Sequence, residues 1–407
     1  NPVISGLSLL IETLSESNHL PFKFLCMLVR NIARLLNLFR KSRSQRSVKL
    51  LAMHNPDFAR TTTTTITAAV AAANFIDGRQ NFSAASAKLS TIHIQFSELQ
   101  RIPEHRSLPD LMRERTQRKE FFYGIEIIAR PSNDEVPPFV LNYNDFGSLL
   151  MPLFTSLVWL SEDYAHVDHL EDVESVRIAS ALEPRVIALP HFSCFRADRK
   201  RVEDFARLNF TNMLAIRGNN VDPEQPMKYA SDLIQEVRRL RGDAISIGVA
   251  GYPEGHVDAK SLEEDMKFLL KKVEAGANFI ITQICFSATR LLEFLRKCRS
   301  SGIAIPIVVG VFVPHSLGSL QQMCKIAGVH VPDADMDVYR NLARRNTSEF
   351  QAHAERQAVE LINEVLDSNL DVYGVQFYTI NKFKNVQRVM EMVLMSKRQK
   401  KEPGDNK

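Results

Sequence analysis

The stretch 244–284, AISIGVAGYPEGHVDAKSLEEDMKFLLKKVEAGANFIITQI, decides the architecture. Residues 244–250 and 278–284 are almost continuously apolar, the pattern of strands covered on both faces. Between them Leu262, Met266, Leu269, Leu270 and Val273 recur at i,i+3/i+4 spacing, which predicts an amphipathic helix over 262–275. Ser261 followed by Glu264 is a capping-box pattern at its start, and Gly276 is a C-cap at its end. The whole reads as one strand–helix–strand unit. Working outward, the same kind of apolar run recurs at 121–128 (FFYGIEII), 153–159 (LFTSLVW), 185–190 (RVIALP), 212–217 (NMLAIR), 305–312 (IPIVVGVF) and 372–379 (VYGVQFYT). Further amphipathic segments lie at 225–240 and 288–300, and the gap 313–371 has room for two or more helices. Eight strand–helix units over about 275 residues predict an α/β fold, a (β/α)8 TIM barrel. A doubly wound open sheet is the alternative, and no GxGxxG follows the first strand to support it.

The expected organisation is a basic, low-complexity and disordered N-terminal extension over 1–105, a barrel over 106–396 and a charged tail over 397–407. Of the 407 residues 45% are hydrophobic and 24% charged, which excludes fibrous and wholly disordered classes. No apolar run reaches the ~18–20 residues of a membrane span, so no integral membrane segment is expected. The net charge of +4 is uneven, because residues 1–60 carry nine Lys/Arg against three acids. The remainder is therefore slightly acidic, and nucleic acid is not an expected partner. The cysteines at 26, 194, 285, 298 and 324 show no CxxC, reading as reduced thiols with no structural zinc and no metal site. Residues 21–40 can form a basic amphipathic helix. Disorder or sequence upstream of a start at Met53 is one reading; a mitochondrial-type presequence or a membrane-surface anchor is the other. A cytoplasmic location is the expectation.

In a barrel of this class the functional face lies at the C-terminal strand ends. Those ends carry Glu126, Trp159, His191, Arg217-Gly218-Asn219, Tyr252 with His256, Gln283, Phe312, and Tyr378 with Asn381 and Lys382. Any one of them has a structural explanation as a turn or cap; together they point to a site. Glu126 stands between Ile125 and Ile127 inside a strand, where burial raises a carboxyl's pKa and fits it to act as a general acid. A structural salt bridge is its alternative role. The loop Gly251–His256 has glycines that let a ligand approach the backbone. No Walker A, HExxH or GxSxG pattern is present.

GVAGYPEGH (248–256), KKVEAGANFIITQ (271–283) and GVQFYTIN (374–381), in this order, resemble the catalytic domain of methylenetetrahydrofolate reductase, and AIRGN (215–219) is similar to its LRGD segment. The resemblance implies FAD on the C-terminal face of the barrel, NADPH or NADH as electron donor, and reduction of 5,10-methylenetetrahydrofolate to 5-methyltetrahydrofolate in a ping-pong sequence. By the same resemblance Glu126 is the general acid. His191, Arg217, Tyr229, Ala230, Tyr252, His256, Ala259, Asp265 and Lys272 match positions that hold FAD, with Trp159, Gly218, Asn219, Val257 and Asp258 beside them. Gln283 and Tyr378 match folate contacts, joined on the substrate side by Asn219, Phe312 and Lys382. A homo-oligomer is left open.

Departures from the pattern are Glu126-Ile127-Ile128-Ala129-Arg130-Pro131 for EFFPP, Val158-Trp159-Leu160 for TWH, Asn219 for the Asp of RGD, and Lys382 for an Arg. They motivate two competing expectations: a catalytically weak barrel that binds flavin or folate as a regulatory partner, and another barrel flavoenzyme, similar to proline dehydrogenase. No S-adenosylmethionine-sensing domain is expected after the barrel.

Overall fold

The computed structural model describes residues 92–95, 107–129, 139–147, 150–158, 169–183, 186–218 and 224–401. All of them belong to the unit Ala84–Lys407. Eight parallel strands close into a barrel: β2 (Phe122–Ile128), β4 (Phe154–Val158), β5 (Ala188–Ser193), β6 (Asn212–Ile216), β7 (Ser246–Gly251), β8 (Phe279–Ile284), β9 (Ile307–Phe312) and β10 (Gly374–Tyr378), the last pairing back with β2. Two further strands, β1 (Ile92–Gln95) and β3 (Phe139–Asn142), form a separate parallel pair. β1 lies inside the stretch 1–105 that the sequence set aside as an extension. Four alternating residues, IHIQ, are too short a pattern to announce a strand whose partner is 47 positions away.

The helices are α1 (Leu108–Gln117), α2 (Asn144–Gly147), α3 (Glu174–Leu182), α4 (Arg199–Arg207), α5 (Ala230–Arg241), α6 (Leu262–Glu274), α7 (Ala288–Ser300), α8 (Leu317–Ala327), α9 (Asp333–Arg345), α10 (Thr347–Leu366) and α11 (Lys384–Lys401). The expected helices at 225–240, 262–275 and 288–300 are α5, α6 and α7. Ser261 Oγ accepts the Glu264 amide at 3.2 Å, as the capping pattern requires, and Gly276 follows the last turn at φ +111°. Three features differ from expectation. The connection from β2 to β4 holds β3 and the single turn α2 among its described residues, not a full barrel helix. The strand read at 185–190 is instead β5, 188–193. Pro190, the last residue of that run, sits where pairing with β4 ends and pairing with β6 begins, so its missing N–H falls at the handover. α11 runs on to Lys401, into the stretch expected to be a tail.

The period of two along each strand sorts side chains to two faces. Odd residues of β2, Tyr123, Ile125 and Ile127, pack outward into the layer shared with the helices. Phe122, Phe154, Leu189, Leu214, Phe279, Ile281 and Val308 fill the barrel's own interior, and Leu108 and Met112 of α1 join them, so that α1 plugs the N-terminal end. With that end filled, the C-terminal mouth is the end left open among the described residues.

Candidate active site

Glu126 is the inward-facing residue near the mouth end of β2. Its side chain is 5% exposed, and burial lifts its pKa from 4.5 to about 8. Among the described residues no cation forms an ion pair with it. Across the ladder it stands level with Ser156. The Ser156 hydroxyl and His191 Nε2 lie 2.6 Å apart, both buried, and burial drives the His191 pKa down to about 3, leaving a neutral imidazole. On the opposite neighbour, β10, the Tyr378 hydroxyl donates to the Thr282 carbonyl at 2.9 Å. Burial, with the nearby Glu126 charge, holds that phenol well above its ordinary pKa. The Tyr378 ring occupies the space over Gly310, where a Cβ would meet Tyr378 Cε2 at 2.6 Å and also strike the Thr282 carbonyl. Only glycine fits beneath the ring.

The chain beyond β10 clamps this corner. Thr379 Oγ1 donates to the Glu126 carbonyl at 2.7 Å. Asn381, at φ +58°, turns its amide back onto the backbone of Ile128, donating to its carbonyl and accepting its N–H at 2.9 Å each. Asn381 is therefore spent on closing the barrel.

The loop after β7 forms the other wall. Arg217, at the end of β6, makes an ion pair with Asp258 that holds the Asp258 carboxyl below its usual range. The Arg217 Nε is buried and has no hydrogen-bond partner among the described residues. The Tyr252 and His256 rings meet edge to face at 4.7 Å. His256 is pushed toward the neutral form by burial and by Arg217. Lys272 Nζ donates to the Ala250 carbonyl at 2.5 Å and lies 5.4 Å from the Tyr252 ring centroid. Burial brings its pKa down to about 8, against the pull of Asp265. Asp265 is itself buried and raised. Ala230 opens α5. Before it Tyr229, 44% exposed, stacks on Phe268 at 5.3 Å. Val257 is exposed and Ala259 N donates to the His256 carbonyl at 2.9 Å, completing the turn. Gly218, at φ +83°, follows Arg217 in the left-handed region.

On β8 the Gln283 Oε1 accepts the Ile284 amide at 2.9 Å at an irregularity in the β8–β9 ladder. Its NH2 group remains to donate, and the oxygen keeps a second lone pair. Phe312 is buried opposite Tyr378 in the ladder and packs with Ile284 and Met323. Lys382 is exposed and close enough to His315 to help lower its pKa after burial.

The structure thus brings Glu126, His191, Arg217, Gly218, Tyr252, His256, Asp258, Asp265, Lys272, Gln283, Phe312, Tyr378 and Lys382 to one end of the barrel. His191 sits within β5 and not after it, which turns its ring inward. Trp159 and Asn219, with Arg130 and Leu160, lie outside the described residues. Sequence reasoning missed Ser156, whose inward face follows from the period of two in β4. It also missed Glu254, the remaining polar residue of the Gly251–His256 loop.

A closed α/β barrel plugged at one end, with a buried carboxyl and Arg217, His256 and Lys272 gathered at the other, is the class of protein these residues define. A family profile described as methylenetetrahydrofolate reductase matches residues 111–394. The chain belongs to that family. It is 27% identical over 298 residues to a probable methylenetetrahydrofolate reductase (NADPH) of Caenorhabditis elegans, covering 69% of this chain and 44% of the relative. To methylenetetrahydrofolate reductase 2 of Schizosaccharomyces pombe it is 32% identical over 267 residues, 60% of this chain and 40% of the relative. A 5,10-methylenetetrahydrofolate reductase of Pectobacterium carotovorum is 28% identical over 240 residues, 58% of this chain and 78% of the relative. The chain therefore spans less than half the length of the eukaryotic relatives. Among the described residues no helix is long and apolar enough to cross a membrane.

Proposed function

We propose that this barrel reduces 5,10-methylenetetrahydrofolate to 5-methyltetrahydrofolate, with FAD as the bound cofactor and NADPH or NADH as electron donor. The observation that supports this best is Glu126. It is a buried carboxyl with no cationic partner among the described residues, and it keeps its proton to about pH 8 at a mouth walled by Arg217, His256 and Lys272. A carboxyl of that kind donates a proton near neutrality, where an ordinary glutamate cannot.

The residues present fit a flavin dinucleotide. The Arg217 Nε, without a partner among the described residues, and the half-buried Lys272 ammonium are donors suited to a pyrophosphate. Tyr229, flat against Phe268 at the rim, offers a face for an aromatic base. FAD, when bound, supplies the hydride. The chain's own residues do the rest. Glu126 protonates the ring nitrogen released as the folate's five-membered ring opens. The buried pair of Ser156 and His191 orients polar hydrogens beside it without adding charge, because the imidazole is neutral. Gln283 holds the pterin edge with its free NH2 group, and Tyr378 and Phe312 keep water from the reacting end. Lys382 offers a single positive charge for the carboxylates of the folate tail, where an arginine would offer a fork.

The test is anaerobic. Purified protein should carry a flavin spectrum. That spectrum should bleach with NADPH or NADH in a stopped-flow instrument, and also with 5-methyltetrahydrofolate running the reaction backward. Protein that takes up no flavin, or flavin that bleaches with the nicotinamide but never with the folate, refutes the proposal.

A further inference from the structure

The flavin-side loop 252–259 is built from turns: Gly255 N donates to the Tyr252 carbonyl at 3.0 Å, and Gly255 takes φ +83°. Such a loop has several backbone conformations open to it, and its residues Tyr252, His256 and Asp258 are useful only in one. The Arg217–Asp258 ion pair holds it from inside the mouth, and further contacts hold it from outside. Glu254 turns away from the cluster and uses both carboxylate oxygens. Its Oε2 accepts the backbone N–H of His330 at 2.9 Å. Its Oε1 stands 3.6 Å from the thiol of Cys285, one residue past the end of β8 and two past Gln283, and shares that donor with the Ser287 carbonyl at 3.3 Å. The Cys285 thiol is pushed up to about 12 by burial, so it remains a donor at any physiological pH.

A second contact lies beside the first. α8 ends at Gly328 in the left-handed region, φ +64°, and Val257 covers it so closely that a Cβ there would stand 2.5 Å from Val257 Cγ1. The loop after β7 is therefore docked at two points on the turn 328–330 and at one on the end of β8.

We propose that Glu254 is the positioning residue of the cofactor loop, tying it to the turn after α8 and to the end of the strand that carries Gln283. The inference rests on the reading that this mouth holds a flavin, and it adds a residue that touches neither flavin nor folate. It gives the turn after α8 a role in cofactor retention, and it couples the two walls of the mouth through one carboxylate. A hydrogen bond to an ionised acceptor is the strong kind, and removing the acceptor takes it from the His330 N–H and leaves the Cys285 thiol with the Ser287 carbonyl alone.

The experiment follows flavin release on dilution of the holoprotein, by the fluorescence of the freed flavin, together with thermal unfolding of the same samples. Glu254→Ala should release flavin about tenfold more readily than the parent, and Glu254→Gln, which keeps an acceptor oxygen, about threefold. Cys285→Ser, which restores a donor, should hold flavin better than Cys285→Ala. A purely structural role would instead move flavin release only in step with the unfolding midpoint. If both Glu254 variants hold flavin as the parent does, or lose it only in proportion to stability, the inference is overturned while the functional reading stands. A parent protein that binds no flavin overturns both.

Discussion

Replacing Glu126 by Gln keeps shape and removes both the proton and the charge, so its consequences separate cleanly. The carboxyl titrates at about 8 in the native barrel because burial penalises its charged form, against 4.5 for a solvated glutamate. Below pH 4.5 native and unfolded chains both hold the proton, and the site has no bearing on stability. Between 4.5 and 8 the unfolded chain has lost its proton while the barrel retains one, so the native state loses stability as pH rises. Above 8 the full penalty stands, roughly 4–5 kcal/mol from the difference in pKa. Glu126→Gln carries no such term. Its stability relative to the parent should therefore climb through that window and level off above it, as denaturant unfolding at a series of pH values would report. Catalysis should move the other way. The folate half-reaction of the parent should decline as pH passes about 8, and in the variant it should fall ~10²–10⁴-fold at neutral pH, while nicotinamide still reduces the flavin. A variant that turns folate over at the parent rate, or a stability difference that is flat with pH, would show that Glu126 is an ordinary structural carboxylate.

Gly310→Ala should displace the Tyr378 ring, which a new Cβ would meet at 2.6 Å, and destabilise the barrel by about 1–3 kcal/mol. Its folate KM should rise more than its flavin affinity falls, and steady-state kinetics beside a flavin titration would show it. Lys272→Met should release flavin about tenfold more readily, since a half-buried ammonium on the Ala250 carbonyl is lost from the cationic wall; dilution fluorescence measures it. Asn219→Asp places a charged acceptor where the family's pattern has one. It should speed the folate half-reaction about 5–30-fold and flavin reduction less, and equal effects on the two half-reactions would refute the charge argument.

Local pattern carried the reading of the chain wherever the determinants were local. α6 and α7 follow from their i,i+3/i+4 spacing, and the cap at Ser261 forms the bond its spacing implied. A charge between two isoleucines was enough to single out Glu126. What stayed hidden depends on distant partners. α1 is not read from the sequence at all, because its role is to fill the bottom of a barrel closed some 250 residues later. β1 and β3 make sense only as a pair. Ser156 and His191 meet across two strands, and the partners of Glu254 stand 31 and 76 positions away. The bounds of β5 were hidden for a related reason: whether a strand runs on through a proline such as Pro190 depends on which neighbour it pairs with at that position.

The seam between the first and last barrel strands has a consequence for the order of events during synthesis. The bonds from Thr379 and Asn381 to Glu126 and Ile128 each span 253 positions. Nothing made before β10 can stand in for them. A ribosome adding ~5–20 residues per second leaves β2 with one open edge for roughly ten seconds to a minute after it emerges. During that interval its apolar residues are exposed to wrong strand partners. Glu126, toward the C-terminal end of that open edge, is then solvated and ionised, a charge of the sort that discourages edge-to-edge pairing. When the last strand docks, the carboxyl is buried and picks up a proton. The same side chain is thus charged on the open edge and neutral in the closed barrel.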